Sequence, residues 1–166
     1  MKKTLSAAEA SYNGDYFRIT TFSIGMLDYA EPGASPHYLA PDVGDNTLGQ
    51  TLRLALSASK HASMEEFQKI FHSSVIQQLG KEREAWAMKQ YGYKTKRAMY
   101  KNMAICSIKM RDGQIDIQPT HMKAVDSYTV KNDTGPFPLY VSESATDAEL
   151  GAALREGFKR CTSSVK

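Results

Sequence analysis

Two cysteines in 166 residues, Cys106 and Cys161, are too few for a disulfide framework or a four-cysteine zinc site. No uninterrupted apolar stretch approaches the ~20 residues of a membrane-spanning helix. Met1-Lys2-Lys3 imitates the start of a signal peptide, but Glu9, Asn13 and Asp15 break any apolar core behind it. These absences predict a reduced, cytoplasmic protein. Catalytic signatures are missing as well. There is no phosphate-binding glycine loop and no H-E-x-x-H pair, and His37, His61, His72 and His121 are scattered. Ser57-Ala58-Ser59-Lys60 matches an S-x-x-K pattern, yet its companion motifs S-D-N and K-T-G do not occur, so it reads as the polar end of a helix. Glu82 and Glu84 stand two apart and do not share a helix face, which argues against paired acid–base work. The expectation is a non-enzyme with no metal and no cofactor.

Positive charge is missing from one long stretch. Between Arg18 and Arg53 there is no Lys or Arg, while Asp28, Glu31, Asp42 and Asp45 all fall there, with Tyr29, His37 and Tyr38 among them. This segment predicts a docking surface for a cationic protein partner, built from Asp28, Tyr29, Glu31, Tyr38, Asp42 and Asp45. The carboxylates would steer and the tyrosines would supply rigid contact area. The opposite bias appears later. Trp86, Lys89, Tyr91, Tyr93, Lys94, Lys96, Arg97, Tyr100 and Lys101 interleave rings with cations, and residues 86–101 offer the alternative of a single-stranded nucleic-acid surface.

The length suits one domain, 1–166, and residues 1–14 are expected to be loosely ordered. Tyr16–Ile24 is aromatic and β-branched and reads as a strand, with imperfect alternation that suggests a bulge at Thr20-Thr21. Gly25 to Asp45 reads as a long irregular loop. A helix is predicted after Thr47, with Leu48, Leu52, Ala55 and Leu56 as its apolar stripe. Ser63-Met64-Glu65-Glu66 and Thr146-Asp147-Ala148-Glu149 are capping boxes that open two further helices. Another helix covers about Lys81–Gln90, ended by Gly92. Arg97–Met110 reads as a strand, turned by Asp112-Gly113 (a type I′ signal) into Ile115-Asp116-Ile117. Shorter strands are expected at His121–Tyr128 and Phe137–Val141, with a turn at Lys131–Gly135 between them. Cys106 and Cys161 read as small buried hydrophobes. The pattern predicts an α+β fold: one antiparallel twisted sheet with packed helices.

An internal echo accompanies this pattern. Leu48-Gly49-x-x-Leu52-Arg53 aligns without gaps with Leu150-Gly151-x-x-Leu154-Arg155. Glycine in a helix costs ~1 kcal/mol relative to alanine, so its presence in both predicts close packing and a β-then-α pseudo-repeat.

Several short motifs, in this order and spacing, resemble the immunity proteins of bacterial contact-dependent growth inhibition, the CdiI type. They are Pro41-Asp42 with Leu48-Gly49, Leu56-Ser57-Ala58-Ser59, Tyr91-Gly92-Tyr93-Lys94, Asn102-Met103, Pro119-Thr120, and Leu150-Gly151 with Arg160-Cys161. The resemblance runs from about Tyr16 to Cys161. It implies a small, non-enzymatic, cytoplasmic protein that binds and blocks the C-terminal toxin domain of a contact-dependent growth inhibition exoprotein, commonly a nuclease. It carries over no binding residue. Two docking modes follow on physical grounds: acidic side chains against a cationic toxin surface, or a toxin strand added to a sheet edge.

Overall fold

The computed structural model describes residues 3–131 and 133–166. Thr4–Tyr12 forms strand β1, and Ala7, Ala8 and Ala10 are buried within it because strands flank both of its edges. The expectation of a loose N-terminus is thus corrected over Thr4–Tyr12; Met1 and Lys2 lie outside the described residues. Phe17–Ser23 is β2, antiparallel to β1 with Ala10 opposite Ile19. The pairing runs without a bulge at Thr20-Thr21. Its imperfect alternation arises because Thr20 and Thr21, which point to opposite faces, are both buried.

The supposed irregular loop contains two short strands, β3 (Tyr29–Ala30) and β4 (His37–Leu39), which pair with the two ends of β2. Helix α1 (Asp45–Ser57) starts before Thr47, with Gly44 as an N-cap that has no side chain to contribute. Helix α2 (Met64–His72) has the predicted capping box in full: Ser63 accepts from the Glu66 amide and Glu66 from the Ser63 amide. Helix α3 (Val75–Tyr91) is longer than predicted and ends at Gly92 with φ 75°. Lys96–Tyr100 is a short helix, α4, capped by Thr95, where the sequence suggested strand. The reason is spacing: Met99, Tyr100 and Met103 are buried together, a helical rather than alternating pattern.

Strand β5 (Ala104–Arg111) pairs with β1, and β6 (Gln114–Pro119) pairs with β5. In the intervening turn only Gly113 takes a positive φ, 73°, so the turn is not the type I′ that Asp-Gly suggested. His121–Tyr128 is a hairpin rather than one strand: β7 (His121–Ala124) and β8 (Ser127–Thr129) pair across a turn with Asp126 at φ 57°. The turn expected at 131–135 closes by the Gly135 amide donating to the Lys131 carbonyl at 2.9 Å; Asn132 lies outside the described residues. Strand β9 (Leu139–Ser142), helix α5 (Asp147–Arg160, capped by Thr146 and Glu149) and β10 (Thr162–Ser163) complete the chain. Among the described residues the main sheet runs β3-β2-β1-β5-β6-β9, with β4 also beside β2, and β10-β7-β8 form a small second sheet.

The echo is structural. Helix α1 packs on β1, β2 and β4, and α5 packs on β5, β6 and β9, so two β-then-α halves meet where β1 pairs with β5. The helices touch at Gly49 and Gly151. A Cβ on Gly49 would collide with the Asp147 carbonyl, and one on Gly151 with the Asp45 carbonyl. Around this contact the arginines exchange ends. Arg53 Nε donates to Asp147 at 2.8 Å and its other nitrogens reach the Glu143 and Ala145 carbonyls. Arg155 Nε donates to Asp45 at 2.6 Å and reaches the Val43 carbonyl. Beneath lies the main core of Ala8, Ala10, Phe17, Ile19, Leu48, Leu52, Cys106, Ile108, Ile115, Ile117, Leu150 and Leu154.

Gly49→Ala and Gly151→Ala are each expected to cost about 3 kcal/mol, the upper end for overpacking, because the obstacle is backbone. Gly80→Ala on α3, where a Cβ meets open space, is expected instead to stabilise by about 0.5–1 kcal/mol. Denaturant melts of the three variants check both signs.

Candidate functional site: a charged cleft between sheet and helix

Side chains of successive strand residues alternate between faces, so the sheet face opposite α1 and α5 carries Glu9, Arg18, Thr20 and Phe22. Helix α3 does not lie flush on this face. It leaves a cleft of about 480 Å³, floored by those four residues and walled by Ile76, Leu79, Gly80 and Glu84 of α3, Lys96 and Tyr100 of α4, and Asp126 of the β7–β8 turn. A second depression of about 450 Å³ shares Pro36, Leu79 and Arg83 with it and is bordered by Pro32, Tyr38, Glu82 and Trp86.

The cleft is held open by specific contacts. Arg83 donates to the Ala34 carbonyl at 2.9 Å and ties α3 to the loop between β3 and β4. Tyr16, Tyr38, Tyr91 and Trp86 form a ring cluster, with Tyr16 stacked on Tyr91 at 4.3 Å and Tyr38 4.6 Å from Trp86. Tyr16 is fully buried, and burial pushes its hydroxyl up to about 12. Trp86 is the most exposed of these rings, 49% exposed at the edge of the second depression.

Charge on the floor is unevenly paired. The Tyr100 hydroxyl donates to Glu84 at 2.7 Å and Lys96 lies 3.1 Å from the same carboxylate. Burial pushes Glu84 up, but these two partners outweigh it and hold the carboxyl below its ordinary value. Arg18 donates to Ser11 at 3.3 Å, while its buried Nε has no hydrogen-bond partner among the described residues. Glu9 is half-buried, and burial raises its carboxyl despite the nearby Arg18. Asp126 is raised by burial and by Glu84. Sequence reading missed Glu9, Arg18 and Asp126. Glu9 and Arg18 were the only charged side chains among the apolar and small residues of two strands, and that was the available signal.

The six residues expected to dock a partner do not form one surface. Asp28 and Tyr29 sit at one end of β2 and Asp42 and Asp45 near the other, roughly 20 Å away at the rise of a strand. Glu31 is 6% exposed; its carboxylate accepts from the Ser23 hydroxyl at 2.9 Å and the Gly33 amide at 2.6 Å, so it builds the loop. Tyr29 is buried against Phe67. Asp45 is taken by Arg155, and Asp28 lies 3.7 Å from Lys109. Asp42 is exposed, and Tyr38 lies in the ring cluster beside the cleft.

The basic–aromatic segment is also used internally. Tyr100 is buried, Tyr91 stacks on Tyr16, and Tyr93 is hydrogen-bonded to Asn13 and Asp15. Those rings cannot serve as stacking platforms for bases. The Ser57 hydroxyl donates to the Leu54 carbonyl at 2.6 Å, as expected of the end of a helix. Among the described residues no three His, Cys, Asp or Glu side chains are grouped to hold a metal ion, and no helix is long and apolar enough to cross a membrane.

Comparison with known proteins places this geometry in context. The chain is 29% identical to the immunity protein CdiI-YPIII of Yersinia pseudotuberculosis serotype O:3 (strain YPIII), over 93% of this chain and 94% of that one. Its fold superimposes with a TM-score of 0.84 on a Neisseria meningitidis protein of unknown function, NMB0488, at 27% identity over 94% of each chain. It superimposes with a TM-score of 0.83 on a chain of the CdiA-CT/CdiI toxin and immunity complex from Yersinia pseudotuberculosis, at 26% identity over 94% of this chain and 97% of that one. The family model of the CDI immunity protein matches residues 6–161, nearly the whole length, and the chain belongs to that family.

Proposed function

We propose that this protein binds the C-terminal toxin domain of its cognate contact-dependent growth inhibition exoprotein and neutralises it in the cytoplasm, by contact and without chemistry of its own. The carrying observation is the depression beside the charged cleft, bordered by Trp86 and Tyr38. An exposed tryptophan beside a concave, partly apolar surface is the usual anchor of a protein interface. The toxin–immunity complex of the Yersinia relative supports the same reading.

The toxin is proposed to be a nuclease. A nuclease needs a cationic surface to hold phosphates, and the carboxylates left facing solvent, Asp42 and in part Asp28, would steer such a surface in. Tyr38 acts beside Trp86. Tyr29, Glu31 and Asp45 contribute by shaping the loop and the start of α1. A toxin strand added to a sheet edge would extend the same docking geometry.

Co-expression with the cognate toxin domain is expected to restore growth and to yield a one-to-one complex that survives high salt. No rescue and no complex would overturn the proposal. Within the complex, Trp86→Ala is expected to weaken binding about 30-fold, or ~2 kcal/mol, with little change in melting temperature. Asp42→Lys is expected to slow association at low salt while leaving stability unchanged. Asp45→Lys, which breaks the Arg155 pair, should lower stability instead. Surface plasmon resonance and thermal melts separate the three effects.

A further inference from the structure

The two cysteines of the chain meet in space. Cys106 on β5 and Cys161 at the C-cap of α5 stand 55 positions apart, yet their sulfurs lie 3.9 Å from each other. Gly157 makes this approach possible. It sits one turn before Cys161, and a Cβ there would come within 2.8 Å of Ile117 and 3.2 Å of the Cys106 sulfur. The bare glycine lets the last turn of α5 descend onto β5 and brings the cysteine that follows it over the other. Both thiols are free. The pair lies on the helix-covered side of the sheet, away from the charged cleft, and the toxin-binding reading makes no use of it.

Packing alone asks only for small apolar side chains at these two positions. Two thiols in contact add a chemistry that alanine or valine would not. Among the described residues no further His, Cys, Asp or Glu joins them to make a metal-binding group of three. What adjacent thiols share is two-electron oxidation. We propose that Cys106 and Cys161 are an oxidisable dithiol, which closes to a disulfide under hydrogen peroxide and fastens the end of α5 to β5.

The surroundings divide the roles. Cys161 is half-buried and open to solvent on one side, while Cys106 is 0% exposed. Their hydrogen bond holds the Cys161 thiol below its ordinary value and, together with burial, pushes the Cys106 thiol up. Cys161 is thus the thiolate that meets the oxidant, and Cys106 is the protonated resolving partner. The Cys161 thiolate attacks one peroxide oxygen and the O–O bond breaks. Hydroxide leaves, takes up the proton that Cys161 had shed, and Cys161 becomes a sulfenic acid. Cys106 then attacks that sulfur; its S–H proton leaves with the displaced hydroxide as water, and the disulfide forms. Two thiols have been oxidised by two electrons while one hydrogen peroxide is reduced to two waters. The sulfurs must close to about 2 Å, a movement small against the arc of a χ1 rotation. A bond that closes at a partly exposed sulfur is of the reducible kind, and it constrains the unfolded chain across the 55 positions between its ends.

The full-length protein and its Cys106→Ser and Cys161→Ser variants are treated with hydrogen peroxide, with dimedone in a parallel sample to trap sulfenic acid. Wild type is expected to lose both free thiols and the mass of two hydrogens. It should stay uncrosslinked between molecules and melt about 5–10 °C higher, and dithiothreitol should reverse the change. Cys106→Ser is expected to collect the dimedone adduct at Cys161, and Cys161→Ser to leave Cys106 unmodified. Wild type that keeps two free thiols, overoxidises without closing the bond, or melts lower once oxidised overturns the proposal. Cross-linking between molecules in place of the internal bond, or an adduct on Cys106 rather than Cys161, overturns it too. The wild-type readouts need no substitution, so they decide the matter even where a variant fails to fold.

Discussion

The rest of the structure depends on the contact of α1 with α5 at Gly49 and Gly151. Backbone lies against backbone there, with no room for a methyl group on either side. Such proximity brings the start of each helix within reach of an arginine on the other. Asp45 and Asp147, the first residues of the two helices, then each accept from that arginine's Nε. Negative charge in a first helical turn is favourable in its own right, so each aspartate serves its helix and the arginine from the other. The pairs are about one-third exposed, and their value lies in geometry as much as in energy. They fix the helices in one relative position, and that position sets where the two halves of the sheet meet.

Rigidity on this face leaves the other face free for a different use. The aromatic cluster around Tyr16 and the Arg83 tie to the β3–β4 loop prop α3 away from the strands instead of letting it settle. The cleft that results is lined by charged side chains, and Trp86 is exposed at the adjoining depression. The molecule is therefore divided: a close-packed face that specifies the fold, and a propped-open face that bears the features of an interface. An inhibitor needs this division, because binding surfaces keep groups that a stable core would discard.

Much of the fold was legible because it is written in local rules. Both capping boxes formed as their spacing requires, Gly92 stopped α3, and the Leu-Gly-x-x-Leu-Arg echo marked the paired helices. What local sequence did not show depended on partners far away along the chain. Thr4–Tyr12 looks like a weak tail, and becomes a central strand only because β2 and β5 flank it. Asp28, Glu31, Asp42 and Asp45 are close along the chain, yet a strand's length divides them and one is consumed inside its own loop. The cleft was illegible for the same reason. It assembles Glu9, Arg18, Glu84 and Asp126 from two strands, a helix and a turn, and no window of sequence contains them. The family resemblance gave the class of protein without the site, because the motifs that carry it are mostly the glycines, leucines and turns of the packed face.

Hydrogen–deuterium exchange on the protein alone and bound to its cognate toxin domain tests the central division most directly. The account predicts new protection on α3 and on the loop between β3 and β4, with exchange across α1 and α5 unchanged. Protection on the outer surfaces of α1 and α5, with the cleft exchanging as in the free protein, would contradict it.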